Sequence, residues 1–109
     1  MWQGMAASAG KVTAEATVMK HFSPQIEQRI GILVTERTDP GWTPLMALSC
    51  GLVVEHGGML SHASIVAREL KIPAVIGVEN ACERIKNGEQ ILVDGDMGIV
   101  SKTSETSTL

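Results

Sequence analysis

The residues best suited to chemistry lie together between Gly57 and His62, where a glycine pair and a serine precede a histidine. A neutral imidazole has a free lone pair and can act as a nucleophile. Adjacent glycines permit positive φ and let the backbone approach another group closely. Ser61 is a typical residue for the N-cap of a helix. The stretch therefore predicts a site for an anion, with His62 as the nucleophile and Gly57, Gly58 and Ser61 around it.

Two elements must position this stretch. The apolar run Gly51–Val54 predicts a strand that ends shortly before the glycines. After Ser61, apolar residues recur at the spacing of one helical face, namely Ala63, Val66, Ala67 and Leu70. His62 lies in the first turn of this predicted helix and off its apolar stripe. First-turn N–H groups lack intrahelical acceptors and carry the positive end of the helix dipole, so an anion on the imidazole would be stabilised there.

Position alone leaves other interpretations open. Many histidines are simply exposed or hydrogen-bonded to a neighbour, and glycine pairs also occur in plain turns. Ser61 could cap the helix, contact a phosphoryl group, or do both. Arg68 is expected in a surface ion pair or against a partner domain rather than at a phosphoryl group on His62. A metal site built from Glu55, His56 and His62 is disfavoured because adjacent strand residues point to opposite faces, so no metal is expected.

The phosphohistidine signature of the phosphoenolpyruvate-utilising enzymes resembles two stretches of this chain, GGMLSHASIVAREL at 57–70 and IPAVIGV at 72–78. That family includes phosphoenolpyruvate synthase, pyruvate phosphate dikinase, enzyme I of the sugar phosphotransferase system and rifampicin phosphotransferase. The resemblance extends from Gly4 to about Lys102. It implies that His62 is the phosphorylated residue, and that the fold is an α/β swivelling β/β/α domain, a mixed sheet with packed helices. His56 stands where the family pattern leads us to expect a small residue.

The resemblance also implies what surrounds such a domain. An ATP-grasp nucleotide-binding domain, or phosphoenolpyruvate itself, would phosphorylate His62, and the domain would then carry the group to an acceptor at a second active site. Magnesium and ATP are expected in the partner domains, in cis or in trans, and no cofactor is expected on this domain alone. Phosphoenolpyruvate synthase-like chemistry, with pyruvate and phosphoenolpyruvate at the acceptor domain, is favoured. The alternatives are the carrier domain of a rifampicin-type antibiotic phosphotransferase and a non-catalytic swivel or docking module.

Length and composition set further expectations. The 109 residues predict one domain over 1–102 and a disordered Ser/Thr-rich C-terminal tail over 103–109. A net charge of -3 gives no electrostatic reason to expect nucleic acid or an anionic membrane as a partner. The lack of a secretory signal pattern and of any long apolar run favours a cytoplasmic protein. Cys50 and Cys82 have neither CxxC nor metal-ligand spacing and are expected to be buried free thiols.

Periodicity and turn residues predict the other elements. Further strands are predicted at 11–18, 31–35, 74–76, 90–94 and 98–102. Short helices are predicted at 23–27, at 43–48 and from 79 or 80 to 85. The strand at 31–35 is apolar on both faces and is therefore expected at the centre of the sheet. Thr43 is expected as a helix cap, and residues 4–10 as a loop leading to the first strand. Trp42 is expected at the edge of the core, with docking against a partner domain as the alternative.

Overall fold

The computed structural model describes residues 1–20 and 30–103 of the chain. The strands in these residues are β1 (Trp2–Gln3), β2 (Met5–Ser8), β3 (Lys11–Val18), β4 (Ile32–Thr35), β5 (Gly51–Val54), β6 (Ala74–Ile76), β7 (Gln90–Asp94) and β8 (Ile99–Lys102). The helices are α1 (Thr43–Ala47), α2 (His62–Leu70) and α3 (Ala81–Arg84), and a 3₁₀ turn at Pro40–Trp42 precedes α1. The predicted helix at 23–27 and residues 104–109 of the predicted tail lie outside the described residues.

The strands form one mixed sheet in the order β1-β8-β7-β3-β4-β5-β6-β2. Within it β3, β4, β5 and β6 run parallel to one another, whereas β7, β8, β1 and β2 pair antiparallel with their neighbours. Parallel neighbours need a crossover, and the crossovers after β4 and β5 contain α1 and α2. The loops that follow β4 and β5 therefore leave the sheet side by side, at the carboxyl edge of the parallel strands.

The side chains of the parallel strands alternate between two hydrophobic clusters. On β4, Leu33 belongs to one cluster and Val34 to the other. The first cluster contains Ala67 of α2, whereas the second contains Ile91 of β7. Helices α1 and α2 thus cover one face of the parallel strands, whereas the antiparallel strands and the short helix α3 cover the other, which gives three layers, β/β/α. The predicted α/β class, with a mixed sheet and packed helices, is confirmed. The central position predicted for the strand at 31–35 is confirmed as well, since β4 lies inside the sheet.

The N-terminal segment forms both edges of the sheet rather than a loop. Strand β1 pairs with β8, β2 pairs with β6, and Gly4 alone separates β1 from β2. The two edges therefore lie next to each other, and the sheet folds back on itself into two β layers. A Cβ on Gly4 would lie 2.5 Å from the carbonyl oxygen of Ile76, so the connection between β1 and β2 requires glycine. The expectation of a loop at 4–10 was wrong because glycine and alanine give a weak strand signal.

The other predicted elements in the described residues are confirmed, with shifts of a residue or two at their ends. Helix α2 stops where Lys71 takes a left-handed conformation, two residues before Pro73. Strands β7 and β8 form the predicted hairpin, and the Thr103 hydroxyl donates to the carbonyl oxygen of Gln90 beside it. In residues 1–20 and 30–103, no helix is long and apolar enough to cross a bilayer.

Candidate functional site

Helix α2 begins at His62, as the sequence predicts. Ser61 occupies the N-cap position with an extended backbone, but its side chain makes no capping hydrogen bond. Instead, Ser61 Oγ donates to the carbonyl oxygen of Gly58 at 2.7 Å. The predicted cap is therefore right in position, but its hydroxyl donates to a loop carbonyl and accepts from no N–H of the first turn. The first-turn N–H groups have no acceptor within the helix and lie at the positive end of its dipole.

Two threonine hydroxyls hold the half-buried imidazole of His62. Thr38 Oγ1 lies 2.8 Å from Nδ1, and Thr43 Oγ1 lies 3.4 Å from Nε2. The shorter contact restrains the rotation of the ring. An Nδ1–H that donates to Thr38 leaves the lone pair on Nε2, the nitrogen with the longer contact. The ring is thus oriented by one nitrogen while the other stays available for chemistry.

Neither threonine was identified as a site residue from the sequence. Thr38 follows β4 and Thr43 begins α1, so both lie on the crossover between two adjacent parallel strands. Their approach to His62 depends on strand order, which periodicity does not contain. One usable signal was present, because polar residues that follow parallel strands meet at the same edge of the sheet.

The prediction that Thr43 caps α1 was wrong by one residue. Trp42 is the N-cap and makes no side-chain capping bond, while Thr43 is the first helical residue. The hydroxyl of Thr43 lies next to His62 instead. The 3₁₀ turn causes the shift, since it brings the chain into helical geometry before Thr43 is reached, with Asp39 capping that turn through the N–H of Gly41.

Of the two glycines that precede α2, one lies where the backbone requires glycine and the other does not. Gly57 has a φ of +132°, and a Cβ there would lie 3.0 Å from Ser61 Oγ. Gly58 has no positive φ, and a Cβ on it would meet nothing within 4 Å. Gly57 therefore matches the expectation of a position that needs glycine, whereas the backbone at Gly58 would accept a side chain. At Gly58 the chain borders open space.

Hydrogen bonds from α2 clamp the loop that precedes it. The carbonyl oxygen of Gly58 accepts from the hydroxyls of Ser61 and Ser64, each at 2.7 Å. Arg68 donates through Nη2 to the carbonyl oxygen of Met59 and through Nε to that of Ser64. Arg68, expected in a surface ion pair or against a partner domain, is exposed and binds backbone of its own chain. The loop conformation is therefore held by side chains of the helix that it introduces.

A cleft of about 240 Å³ opens between the loop after β4 and the glycine loop. It is lined by Arg37, Thr38, His56, Gly57, Ser61 and Ala63. The volume is several times the ~30 Å³ that one water molecule occupies in the liquid, so a tetrahedral anion fits. Arg37 brings a permanent positive charge to the cleft, and guanidinium groups suit phosphate oxygens.

Glu55 and His56 make different contacts just after β5. Glu55 Oε2 accepts the backbone N–H of Cys82 at 2.8 Å, at the start of α3. The largely exposed imidazole of His56 reaches back to 3.8 Å from Glu55 Oε1. Within residues 1–20 and 30–103, no three His, Cys, Asp or Glu side chains lie close enough together to hold a metal ion.

Trp42 and the cysteines belong to the body of the domain. Trp42 is 5% exposed and packs in the cluster under α1 and α2, so the expected core position is confirmed over the docking alternative. Cys50 and Cys82 are free thiols, the first half-buried and the second buried. Burial raises the pKa of the Cys82 thiol from 9.0 to about 12, and the Glu55 carboxylate adds to this rise. A thiol held protonated in this way is a poor nucleophile.

The fold and the site together define a β/β/α domain that presents one oriented histidine at the first turn of a helix. A family model for the mobile domain of PEP-utilising enzymes matches residues 28–98. The chain belongs to this family. This agrees with the resemblance of residues 57–70 and 72–78 to the family signature.

Named relatives match most of this chain but are far longer than it. The prodigiosin synthesizing transferase PigC of Serratia marcescens is 46% identical over 92% of this chain and 12% of its own length. Rifampicin phosphotransferase of Bacillus cereus is 44% identical over 89% of this chain and 11% of its own length. A probable phosphoenolpyruvate synthase of Staphylothermus marinus is 45% identical over 90% of this chain and 12% of its own length. The chain thus spans about an eighth of the length of these three relatives.

Solved structures share the fold. The solution structure of Enzyme I (nEIt) is 32% identical and superposes with a TM-score of 0.61 over 72% of this chain and 32% of that chain. Holo aconitase X of Thermococcus kodakaraensis superposes with a TM-score of 0.71 over 93% of this chain and 96% of that chain, at 20% identity. The second likeness concerns the fold alone.

Proposed function

We propose that this chain is a phosphoryl-carrier domain, in which His62 is transiently phosphorylated and passes the group to an acceptor at another active site. The observation that carries the proposal is the geometry of His62, which begins α2 and is tied through Nδ1 to Thr38 at 2.8 Å. Relatives named as phosphotransferases and as phosphoenolpyruvate synthases support the same class of chemistry.

Each ring nitrogen has its own role in this proposal. Nδ1–H donates to Thr38 and keeps its proton, while the Nε2 lone pair attacks the phosphorus of the donor. The Nε2–P bond forms as the bond between phosphorus and the leaving oxygen of the donor breaks. In the second transfer an acceptor oxygen attacks the same phosphorus, and Nε2 recovers its electron pair. The covalent intermediate divides one difficult transfer into two easier ones.

The surroundings of His62 suit the charge that this chemistry moves. A phosphoryl group on Nε2 lies near the Thr43 hydroxyl, which can donate to a phosphoryl oxygen. The N–H groups of the first turn of α2 favour an anion at the helix end. Gly57 and Gly58 support the group by keeping Cβ atoms out of the space ahead of the helix. Ser61 supports it indirectly, because its only hydroxyl proton is already donated to Gly58.

The donor and its magnesium ion belong, in this proposal, to a separate ATP-grasp domain in cis or in trans. The relatives have room for such domains, since this chain corresponds to only 11–12% of their length. Relatives named for rifampicin and for phosphoenolpyruvate match at 44% and 45% identity. In this proposal, this chain shares the carrier step with both kinds of enzyme. Another domain selects the acceptor, which is pyruvate or an antibiotic.

Intact mass spectrometry tests the proposal. The chain is incubated with ATP, Mg²⁺ and the rifampicin phosphotransferase of Bacillus subtilis, a 42% identical relative, in which the carrier histidine has been replaced by alanine. We expect an acid-labile gain of one phosphoryl group. His62→Ala abolishes the gain, and His56→Ala, at the histidine that lines the cleft, retains it. No gain, under conditions in which the unmodified Bacillus subtilis enzyme labels its own carrier histidine, would favour a non-catalytic swivel or docking module.

A further inference from the structure

Ser64 is a buried serine for which the carrier chemistry described above gives no role. It lies in the first turn of α2, and its side chain is fully buried. Its hydroxyl donates at 2.7 Å to the carbonyl oxygen of Gly58, in the loop that leads into the helix. Buried hydroxyls in native proteins are hydrogen-bonded, and a bond to a loop carbonyl restrains the backbone of that loop. Ser64 therefore restrains the orientation of the Gly58 peptide just ahead of His62.

The carbonyl oxygen of Gly58 is saturated with donors. It accepts the hydroxyls of Ser61 and Ser64, each at 2.7 Å, and the backbone N–H of Ser61 at 3.1 Å. A carbonyl oxygen has two lone pairs, so three donors leave little of its partial negative charge uncompensated. Because a Cβ on Gly58 would face open space, hydrogen bonds rather than close packing hold this peptide in place.

Arg68 holds the next carbonyl of the loop in the same way, through its bond to Met59. At about 100° per residue, Ser64 and Arg68 lie about 200° and 240° round the axis of α2 from His62. The two loop carbonyls are therefore drawn to the side of the helix away from the imidazole. The peptide bonds of the described residues are trans, so the N–H groups of Met59 and Leu60 point in the opposite direction to these carbonyls.

We propose that Ser64, assisted by Arg68, is a positioning residue for phosphoryl transfer, because it keeps the carbonyl oxygen of Gly58 turned away from the space that the phosphoryl group on His62 occupies. The inference rests on the proposed function of His62. A phosphoryl group is an anion, and a carbonyl oxygen that faced it would repel it, whereas dipoles fixed in advance cost no reorganisation during the reaction. Ser64 acts through the Gly58 peptide and does not touch the reacting atoms.

A clamp that only fastens the loop would make the same contacts, but the two roles differ in their dependence on charge. Loss of a purely structural clamp should affect every reagent that attacks the imidazole of His62. Loss of the positioning role should slow an anionic phosphoryl donor and leave a neutral reagent unaffected. Phosphoramidate, a small anionic donor that needs no partner protein, and diethyl pyrocarbonate, a neutral reagent that modifies imidazoles, provide this comparison.

The chain offers a matched control for Ser64→Ala. Ser49 is 7% exposed, and its hydroxyl donates at 2.9 Å to the carbonyl oxygen of Leu45. It lies between α1 and β5, at the amino edge of the parallel strands and away from His62. Ser49→Ala and Ser64→Ala therefore remove the same buried hydroxyl group, and the urea midpoints of unfolding should fall by similar amounts.

Ser64→Ala should lower the rate at which phosphoramidate labels His62 by about three- to tenfold, the range for one hydrogen bond. Its rate of modification by diethyl pyrocarbonate at His62 should stay within about twofold of wild type. Ser49→Ala should stay within about twofold with both reagents. Mass spectrometry maps both modifications to His62. The order of rates with phosphoramidate should be repeated with ATP, Mg²⁺ and the Bacillus subtilis enzyme lacking its carrier histidine.

A second variant keeps the test open if Ser64→Ala does not fold. Arg68 is exposed, so Arg68→Ala removes the bond to Met59 without opening a cavity in the core. It should slow labelling by phosphoramidate by about two- to fivefold and leave modification by diethyl pyrocarbonate unchanged. Arg84→Ala, at an exposed arginine of α3, is the control and should not change either rate.

The outcomes separate this role from the carrier function. If neither phosphoramidate nor the ATP-dependent enzyme labels His62 of the wild-type chain, the proposed function itself fails. If wild type is labelled and Ser64→Ala and Arg68→Ala are labelled as fast, only the positioning role is overturned. Equal slowing with the anionic and the neutral reagent overturns it as well, because Ser64 would then only hold the fold.

Discussion

Thr38 Oγ1 lies 2.8 Å from Nδ1 of His62, although 24 residues separate the two in the sequence. The contact joins the loop after β4 to the start of α2, and it exists because β4 and β5 are parallel neighbours. It orients the imidazole, and when Nδ1 carries the proton the lone pair lies on Nε2. Under the proposed function, Thr38 therefore acts through His62 rather than on the phosphoryl group.

Thr38→Val should slow phosphorylation of His62 by about three- to tenfold, because it removes one orienting hydrogen bond worth about 1 kcal/mol. The rate is followed with phosphoramidate as the donor. Nitrogen NMR of the imidazole should show loss of the Nδ1–H preference, which a general loss of stability would not produce. Thr43→Val, which removes the longer 3.4 Å contact, should change the tautomer less. An unchanged tautomer in Thr38→Val would contradict this role.

Gly57→Ala should lower the free energy of unfolding by about 1–3 kcal/mol, because alanine is strained at a φ of +132° and its Cβ would crowd Ser61. Gly58→Ala is the matched control and should stay within about 0.5 kcal/mol, since that Cβ would face open space. Urea unfolding measures both. Equal losses in the two variants would mean that the loop responds to any side chain rather than to the backbone conformation of Gly57.

Thr35→Val should leave stability unchanged or raise it by up to about 1 kcal/mol. Thr35 is fully buried at the end of β4, and its hydroxyl has no hydrogen-bond partner among the described residues. Thr35→Ser keeps this hydroxyl but removes a buried methyl group, and it should cost about 1 kcal/mol. Chemical denaturation of the wild-type, Thr35→Val and Thr35→Ser chains measures these differences in the free energy of unfolding. A marked loss in Thr35→Val would reveal a buried partner, such as an ordered water molecule.

Cys82 should resist alkylation by iodoacetamide at pH 9 in the folded chain, because its pKa is raised to about 12 and the thiolate is the reactive form. The folded chain should gain label at Cys50 first, and the urea-unfolded chain should gain it at both cysteines. The raised pKa means that the protonated thiol stabilises the fold below pH 9, and that this contribution is lost as the pH rises from about 9 to about 12. The stability of Cys82→Ala should therefore fall less steeply over that range.

Local sequence determined the elements that carry their own signal. The 3.6-residue spacing after Ser61 specified α2 and its start at His62, and the apolar runs specified β4, β5 and β6. The signature at 57–70 led to the family that residues 28–98 match. These predictions succeeded because burial of one face of a helix or strand imposes a period of hydrophobic residues, which can be recognised within a single segment.

Tertiary structure decided which distant groups meet. Strand order brought Thr38 and Thr43 to the imidazole, and the folded-back sheet turned the alanine-rich N-terminus into two edge strands. The folded loop also placed carbonyl acceptors so that the Ser61 hydroxyl donates to Gly58 and the Arg68 guanidinium donates to Met59. The physical reason is that periodicity encodes which face of an element is buried, whereas the partner of a polar side chain depends on the elements that fold against it.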